Sequence, residues 1–400
     1  MHVADTSEVT GPQAKVGAIP FIVMMAGLAS QSLLFSLPPP LLPAMAQTYG
    51  ANGPFITQMV FAVASLGLMI TSIISGLLVR ALGVRGLLII SSALYGLAGL
   101  IPWLTADTTI LLLSRLLAGG GCGLLTTGCT MLLAHCYSGS ARSRALGYQT
   151  ALGSITGLVA LLIAGSTVGS LGWHPAFLLY GLFGLPIMLL AIVGVAPVPL
   201  PAQSAERGMG EAFANIWPIC VAACLLMMVP LLVGSETPFV LTTIGVTSPL
   251  IQSGVISMVT IMSAVSGTLF GSVQTTLGVQ RTFAVSLVLS AAGLVLVALA
   301  GNAWIAGIGC ALFGLGLGMF IPHLWVLATT LVPERTRGHA IGLLTTSMFL
   351  GGFLYPFLFG AVQKLFGLGG GIVAIAVVLT LTAIAIMMAR RTRLAGGAVA

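Results

Sequence analysis

The sequence predicts an all-α polytopic membrane protein with twelve transmembrane helices in two pseudo-symmetric six-helix bundles. Three observations carry that prediction. Of 400 residues, 58% are hydrophobic and 5% charged, whereas a soluble domain is about one-quarter charged, so most of the surface must face lipid. The apolar runs are about 18 to 28 residues long, enough to cross a bilayer as helices, and they lack the ~10-residue alternation of a porin-like barrel. Finally, the chain matches itself at a shift of 195 residues.

Taken in order, the first span covers 17–43 and begins after Lys15. Its end carries Pro38, Pro39, Pro40 and Pro43, which cannot sustain a helical hydrogen-bond ladder, so it reads either as a bent gate element or as a plain helix terminus. The next spans are 57–79, closed by Arg80 and Arg85; 86–104; 108–134, after Asp107; 145–169, after Arg142 and Arg144; and 175–197. The longest interior break follows, from Pro197 to Asn215, with Pro199, Pro201, Glu206, Arg207 and Glu211. The second six spans are 216–243, 252–274, 281–300, 303–330, 339–364 and 368–389. The domains expected are a tail (1–16), an N-terminal bundle (17–197), a linker (198–215), a C-terminal bundle (216–389) and a second tail (390–400).

Lys and Arg are retained on the cytoplasmic side of short loops. With twelve spans, Lys15, Arg80, Arg85, Arg142, Arg144, Arg207, Arg281, Arg335, Arg337, Arg390, Arg391 and Arg393 all fall on one side, and Lys364 alone falls on the other. Both termini, with their tails, are therefore expected in the cytoplasm, and the protein in the plasma membrane, a bacterial inner membrane. The net charge of +7 forms no dense stripe along the chain, so no nucleic-acid partner is expected. Six cysteines sit in apolar runs without a C-x-x-C pair, which argues against a zinc site or a disulfide framework and reads as small core residues. The polar first sixteen residues do not read as a cleavable signal.

At the 195-residue shift, Gly50, Gly76, Gly83, Gly119, Gly121, Gly123, Gly147, Gly157, Gly165 and Gly172 land on Gly245, Gly271, Gly278, Gly314, Gly316, Gly318, Gly342, Gly352, Gly360 and Gly367. About three coincidences would arise by chance, so the halves are a repeat. A parallel six-plus-six repeat is one architecture of alternating access, with substrate bound near the midplane between rocking halves. A scaffold with glycines for close helix approach is the plainer alternative.

The segment from Gly76 to Arg85, with Gly76, Arg80, Gly83 and Arg85, resembles the loop motif after the second helix of the major facilitator superfamily, although Arg80 stands where that family has Asp and Ala81 where it has a cation. Its repeat copy keeps Gly271, Gly278 and Arg281, with Thr275 at the acidic position. Arg115 with Gly119, Gly121 and Gly123 is similar to the family's R-x-x-x-G-x-G signature, whose Arg is implicated in coupling in proton-linked members. The fifth span has Gly147, Gly153 and Gly157, but Leu158 replaces the Pro of the antiporter motif. The resemblance covers nearly the whole chain and implies the twelve-helix fold of that superfamily, with helices 1, 4, 7 and 10 around a central cavity.

A charge within hydrocarbon costs ~2.5 to 3.5 kcal/mol on insertion scales and marks a wet cavity or a partner. Arg115 is the one cation deep in a span, either a substrate-anion or coupling residue or a structural latch. Glu236, between Gly234 and Pro238, is the acid expected within the membrane, either a proton site facing Arg115 across the halves or an interfacial carboxylate in water. His323, after Pro322, has a side chain suited to proton exchange, or to a satisfied buried contact. Gln31, Phe35, Gln58, Tyr95, Tyr148, Gln149, Trp325 and Tyr355 offer cavity contacts or interhelical packing; Gln31 and Phe35, four apart, share a helix face.

No G-x-x-x-x-G-K-[ST] loop is present, so no ATP-binding subunit is implied. The function expected is secondary active transport of a small organic molecule by a monomer without cofactor or metal. Proton-coupled export of an amphipathic compound leads, and import of a small organic anion is the alternative. A membrane-embedded enzyme or receptor is a distant third, because catalysis would need paired acids, metal ligands or a nucleophile with its base.

Overall fold

A computed structural model describes residues 17–197, 209–333 and 336–396. Lys15, Arg207 and Arg335 lie outside the described residues, as do the 1–16 tail, most of the linker and the side chains of Arg390, Arg391 and Arg393.

The described chain is helical throughout. In order, the helices are α1 (Ala18–Ser36), α2 (Leu42–Thr48), α3 (Gly53–Leu104), α4 (Thr108–Cys136), α5 (Gly139–Leu171), α6 (Leu178–Gly194), α7 (Met209–Thr243), α8 (Pro249–Leu277), α9 (Val279–Ala298), α10 (Ala303–Thr330) and α11 (Arg337–Gly396). Among the described residues, ten helical segments are long and apolar enough to cross a membrane. Two of them, 55 and 52 residues long, are more than twice the ~20 residues a crossing requires. Each breaks at one glycine, Gly83 (φ 68°) in α3 and Gly367 (φ 71°) in α11. The expected loops at these points shrink to single-residue corners in a backbone region that only glycine enters without strain.

Other expected boundaries move for physical reasons. The 17–43 span stops at Ser36, because Pro38, Pro39 and Pro40 offer no N–H to the carbonyls four residues earlier; a 3-10 turn at Pro39–Leu41 and the short α2 follow. The helix of α7 begins at Met209, inside the expected linker, and α11 continues to Gly396, through part of the expected C-terminal tail.

The repeat is visible in backbone and packing alike. Six of the seven left-handed glycines among the described residues form three pairs at the 195-residue shift: Gly50 with Gly245, Gly83 with Gly278, Gly172 with Gly367. Asp107 caps α4 by accepting from the Ile110 N–H at 2.9 Å, and its counterpart Asn302 caps α10 through the Ile305 N–H at 3.0 Å. A methyl on Gly119 would stand 2.1 Å from the Ala64 carbonyl oxygen, and one on Gly314 2.5 Å from the Val259 carbonyl oxygen, the equivalent position. Glycine thus brings α4 onto α3 as closely as α10 onto α8, the packing small residues permit in membranes.

The halves meet along two seams, α3 with α11 and α5 with α8, which the shift exchanges. A methyl on Gly352 of α11 would lie 2.6 Å from Ser65 Oγ of α3, and one on Gly165 of α5 would lie 2.1 Å from Ser253 Oγ of α8. Phe55 and Phe357 meet edge to face across the first seam, with ring centroids 6.3 Å apart.

Candidate functional site

Glu236 lies on α7 between Pro230 and Pro238, and is 2% exposed. A buried carboxylate persists only when donors surround it, and three converge on its Oε1. Gln58 Nε2 of α3 donates at 2.9 Å, Ser235 Oγ at 3.1 Å, and the Tyr355 hydroxyl of α11 also donates. Gln58 belongs to the first half and Glu236 to the second, so this carboxylate ties the halves together. Gln58 and Tyr355 are themselves buried. Three residues that the sequence offered separately form one cluster; Ser235, a hydroxyl adjacent in sequence to the acid, was not among the candidates.

Arg115 is fully buried, but it does not pair with Glu236. Its guanidinium carbon lies 4.8 Å from the centre of the Phe177 ring and 4.7 Å from that of Tyr180. None of its three nitrogens has a hydrogen-bond partner among the described residues. Arg115 and Glu236 thus share no hydrogen bond among the described residues, and aromatic faces of the first half hold the cation. The proline run explains part of the arrangement. Leu34, four residues before Pro38, has a carbonyl freed from the helical ladder, and it accepts the Tyr180 hydroxyl at 3.2 Å. Tyr180 thus joins the negative end of α1 to the cation.

His323 is buried on α10, stacked at 4.5 Å on Phe283, and its Nδ1 has no hydrogen-bond partner among the described residues. Gln149 is a clamp rather than a free cavity group, its Nε2 donating to the Met24 carbonyl at 2.7 Å and binding α5 to α1. Neighbouring positions on a helix point about 100° apart, so burying Gln149 leaves Tyr148 61% exposed. Gln31 and Phe35 are half-buried on α1, and Phe35 stacks on Phe61 at 6.4 Å. Trp325 is half-buried against the second-half core. Tyr95 donates to the Ser30 carbonyl at 2.9 Å, an interhelical tie.

In the loop motif, Gly76 has open space around it and Gly83 makes the corner. Arg85 Nη2 donates to the Ile192 carbonyl at 2.7 Å near the end of α6, a favourable place for a cation. Arg80 is exposed, as are Gly271, Gly278 and Arg281 of the copy. Among the described residues no three His, Cys, Asp or Glu side chains gather as metal ligands.

Duplicated helical halves with a buried polar cluster at their junction are an architecture that membrane transporters use. The chain belongs to the Major Facilitator Superfamily, whose family profile matches residues 24–356. Over 170 residues it is 29% identical to a D-xylose-proton symporter-like protein 3, chloroplastic, of Arabidopsis thaliana; that match covers 38% of this chain and 29% of the plant protein. Among solved structures it resembles the nucleoside transporter NupG (TM-score 0.76, 14% identity, 94% of this chain and 99% of that one). It also resembles a D-xylose-proton symporter (TM-score 0.72, 14% identity, 90% and 95%). A third neighbour is a POT family transporter crystallised with a thioalcohol-conjugated peptide (TM-score 0.75, 11% identity, 94% and 96%).

Proposed function

We propose that this protein is a proton-coupled secondary transporter that moves a small amphipathic organic molecule outward by alternating access. It acts as a monomer in a bacterial inner membrane, crossing it twelve times with both termini in the cytoplasm. The observation that carries the reading is the Gln58–Glu236 hydrogen bond, which makes a buried acid part of the junction between the halves. An ionised Glu236 accepts from Gln58, Ser235 and Tyr355; adding a proton takes up acceptor capacity and weakens the tie, so protonation and rocking share one residue. The apolar surroundings of Gln31, Phe35 and Trp325 support an amphipathic substrate. Import of an organic anion would rest on Arg115, and the aromatic enclosure of that side chain within the first half weakens this reading.

A second reading, proton-driven import of a polyhydroxylated molecule, is favoured by the partial match to a D-xylose-proton symporter-like protein.

The test uses purified protein in liposomes with an imposed pH gradient, a panel of amphipathic dyes and sugars, and both membrane orientations. Glu236→Gln, which keeps the side chain's shape, is expected to abolish gradient-driven accumulation while leaving exchange without a gradient. Unchanged accumulation in that variant would remove proton coupling through Glu236, and the direction of dye or sugar movement decides between the two readings.

A further inference from the structure

The second half contains a pocket of about 390 Å³ between α7, α9 and α11, within the ~300 to 1,000 Å³ range of small-molecule sites. Its walls include Leu226, Val229, Phe283, Phe359 and Leu379. At its rim Leu225, Leu358 and Val378 are 54%, 49% and 57% exposed, beside the equally exposed Val221, Val377 and Leu381. The mouth therefore opens on an apolar face, where the surrounding solvent is lipid.

Two hydroxyls reach the lining, and both are already engaged. Tyr355 donates to Glu236, and Thr382 Oγ1 donates to the Val378 carbonyl at 2.8 Å. A buried water requires two to four polar partners, and a polar ligand group left unpaired there would lose ~1 to 3 kcal/mol. An apolar cavity of this kind stays dry and takes up hydrocarbon.

We propose that this pocket is a binding site for a single uncharged alkyl chain entering sideways from the membrane. The chain belongs either to a bilayer lipid or to a free single-chain amphiphile, one chemistry from two sources. The site lies among helices of the second half, sharing Tyr355 with the Glu236 cluster, and the proposal does not rest on proton coupling.

The test places the full-length protein in phosphatidylcholine nanodiscs. One arm carries a photoreactive diazirine in a lipid acyl chain, and the other adds a diazirine-bearing dodecanol to unlabelled lipid. Cross-linked residues are mapped by mass spectrometry, with the exposed Leu182 of α6 as the reference for random lipid contact. Labelling concentrated on pocket residues is expected in at least one arm, and the arm that labels identifies the source. Ala222→Phe and Leu379→Phe, which fill the pocket from α7 and α11, should each lower that labelling about tenfold, ~1.4 kcal/mol of binding, in protein of normal thermal stability. Tyr355→Phe, which leaves the lining apolar, should retain it. Pocket residues labelled no more than Leu182 in both arms, or labelling unchanged in both filled variants, would overturn the proposal.

Discussion

At Arg115 the two aromatic faces replace the acid that a buried cation usually needs. Desolvated cation–π contacts are worth ~2 kcal/mol, and Phe177 and Tyr180 supply two. Arg115→Ala removes both and leaves a void, so the melting temperature in detergent should fall by several degrees. Arg115→Met fills the space without a charge to bury, and replacing a buried charge by an apolar group of similar volume is often neutral. Melting of the Met variant near wild type, with transport lost, would assign the cation a part in the mechanism; transport retained at the wild-type rate would leave it structural. The sequence identified Arg115 and Glu236 because charges in hydrocarbon are rare, but it left their partners open. An acid on α7 and an amide on α3 are 178 residues apart, and a single chain carries no signal that Gln58 rather than Arg115 fills the space opposite. Tyr148 and Gln149 part for a smaller reason: both suit a cavity by type, and helix rotation makes one a clamp and leaves the other exposed.

Among the helices, legibility followed the periodicity of glycine. The apolar runs alone marked where membrane-crossing segments lie, yet they set a loop at Gly83 where α3 turns on one residue. The glycine matches at 195 residues were legible as a repeat, but they serve different purposes. Gly119 and Gly314 sit against carbonyl oxygens at distances no Cβ tolerates, whereas Gly147 and Gly342 have open space around them. Alanine at Gly119 or at Gly314 should therefore force α4 from α3 or α10 from α8 and lower thermal stability in both halves alike. Alanine at Gly147 or Gly342 should be neutral or slightly stabilising, since it trades a poor helix former for the best one. Thermal scans of the four variants check this, and a mild effect at Gly119 with a severe one at Gly147 would contradict the packing.

At the scale of the whole molecule, the contacts named between the halves gather toward the ends marked by Gly50, Asp107, Gly172 and Gly245. Gln58 with Glu236, Phe55 with Phe357, and Gly165 beside Ser253 all lie in that half of their helices. The named contacts thus join the halves at one end, and in the transport reading, because the shift exchanges the two seams, the halves rock to a state joined at the other end. If the transport reading holds, the Phe55–Phe357 contact must break in each cycle. Cysteines replacing Phe55 and Phe357, in a background with the six native cysteines changed to serine or alanine, should cross-link with a short bifunctional reagent and stop transport. Reduction of a cleavable linker should restore it. Glu236→Gln, with its acceptor weakened, should cross-link more slowly, because the joined state loses its tie across the seam. Full transport with the pair quantitatively cross-linked would mean that the halves do not separate there, and rocking about these seams would be abandoned.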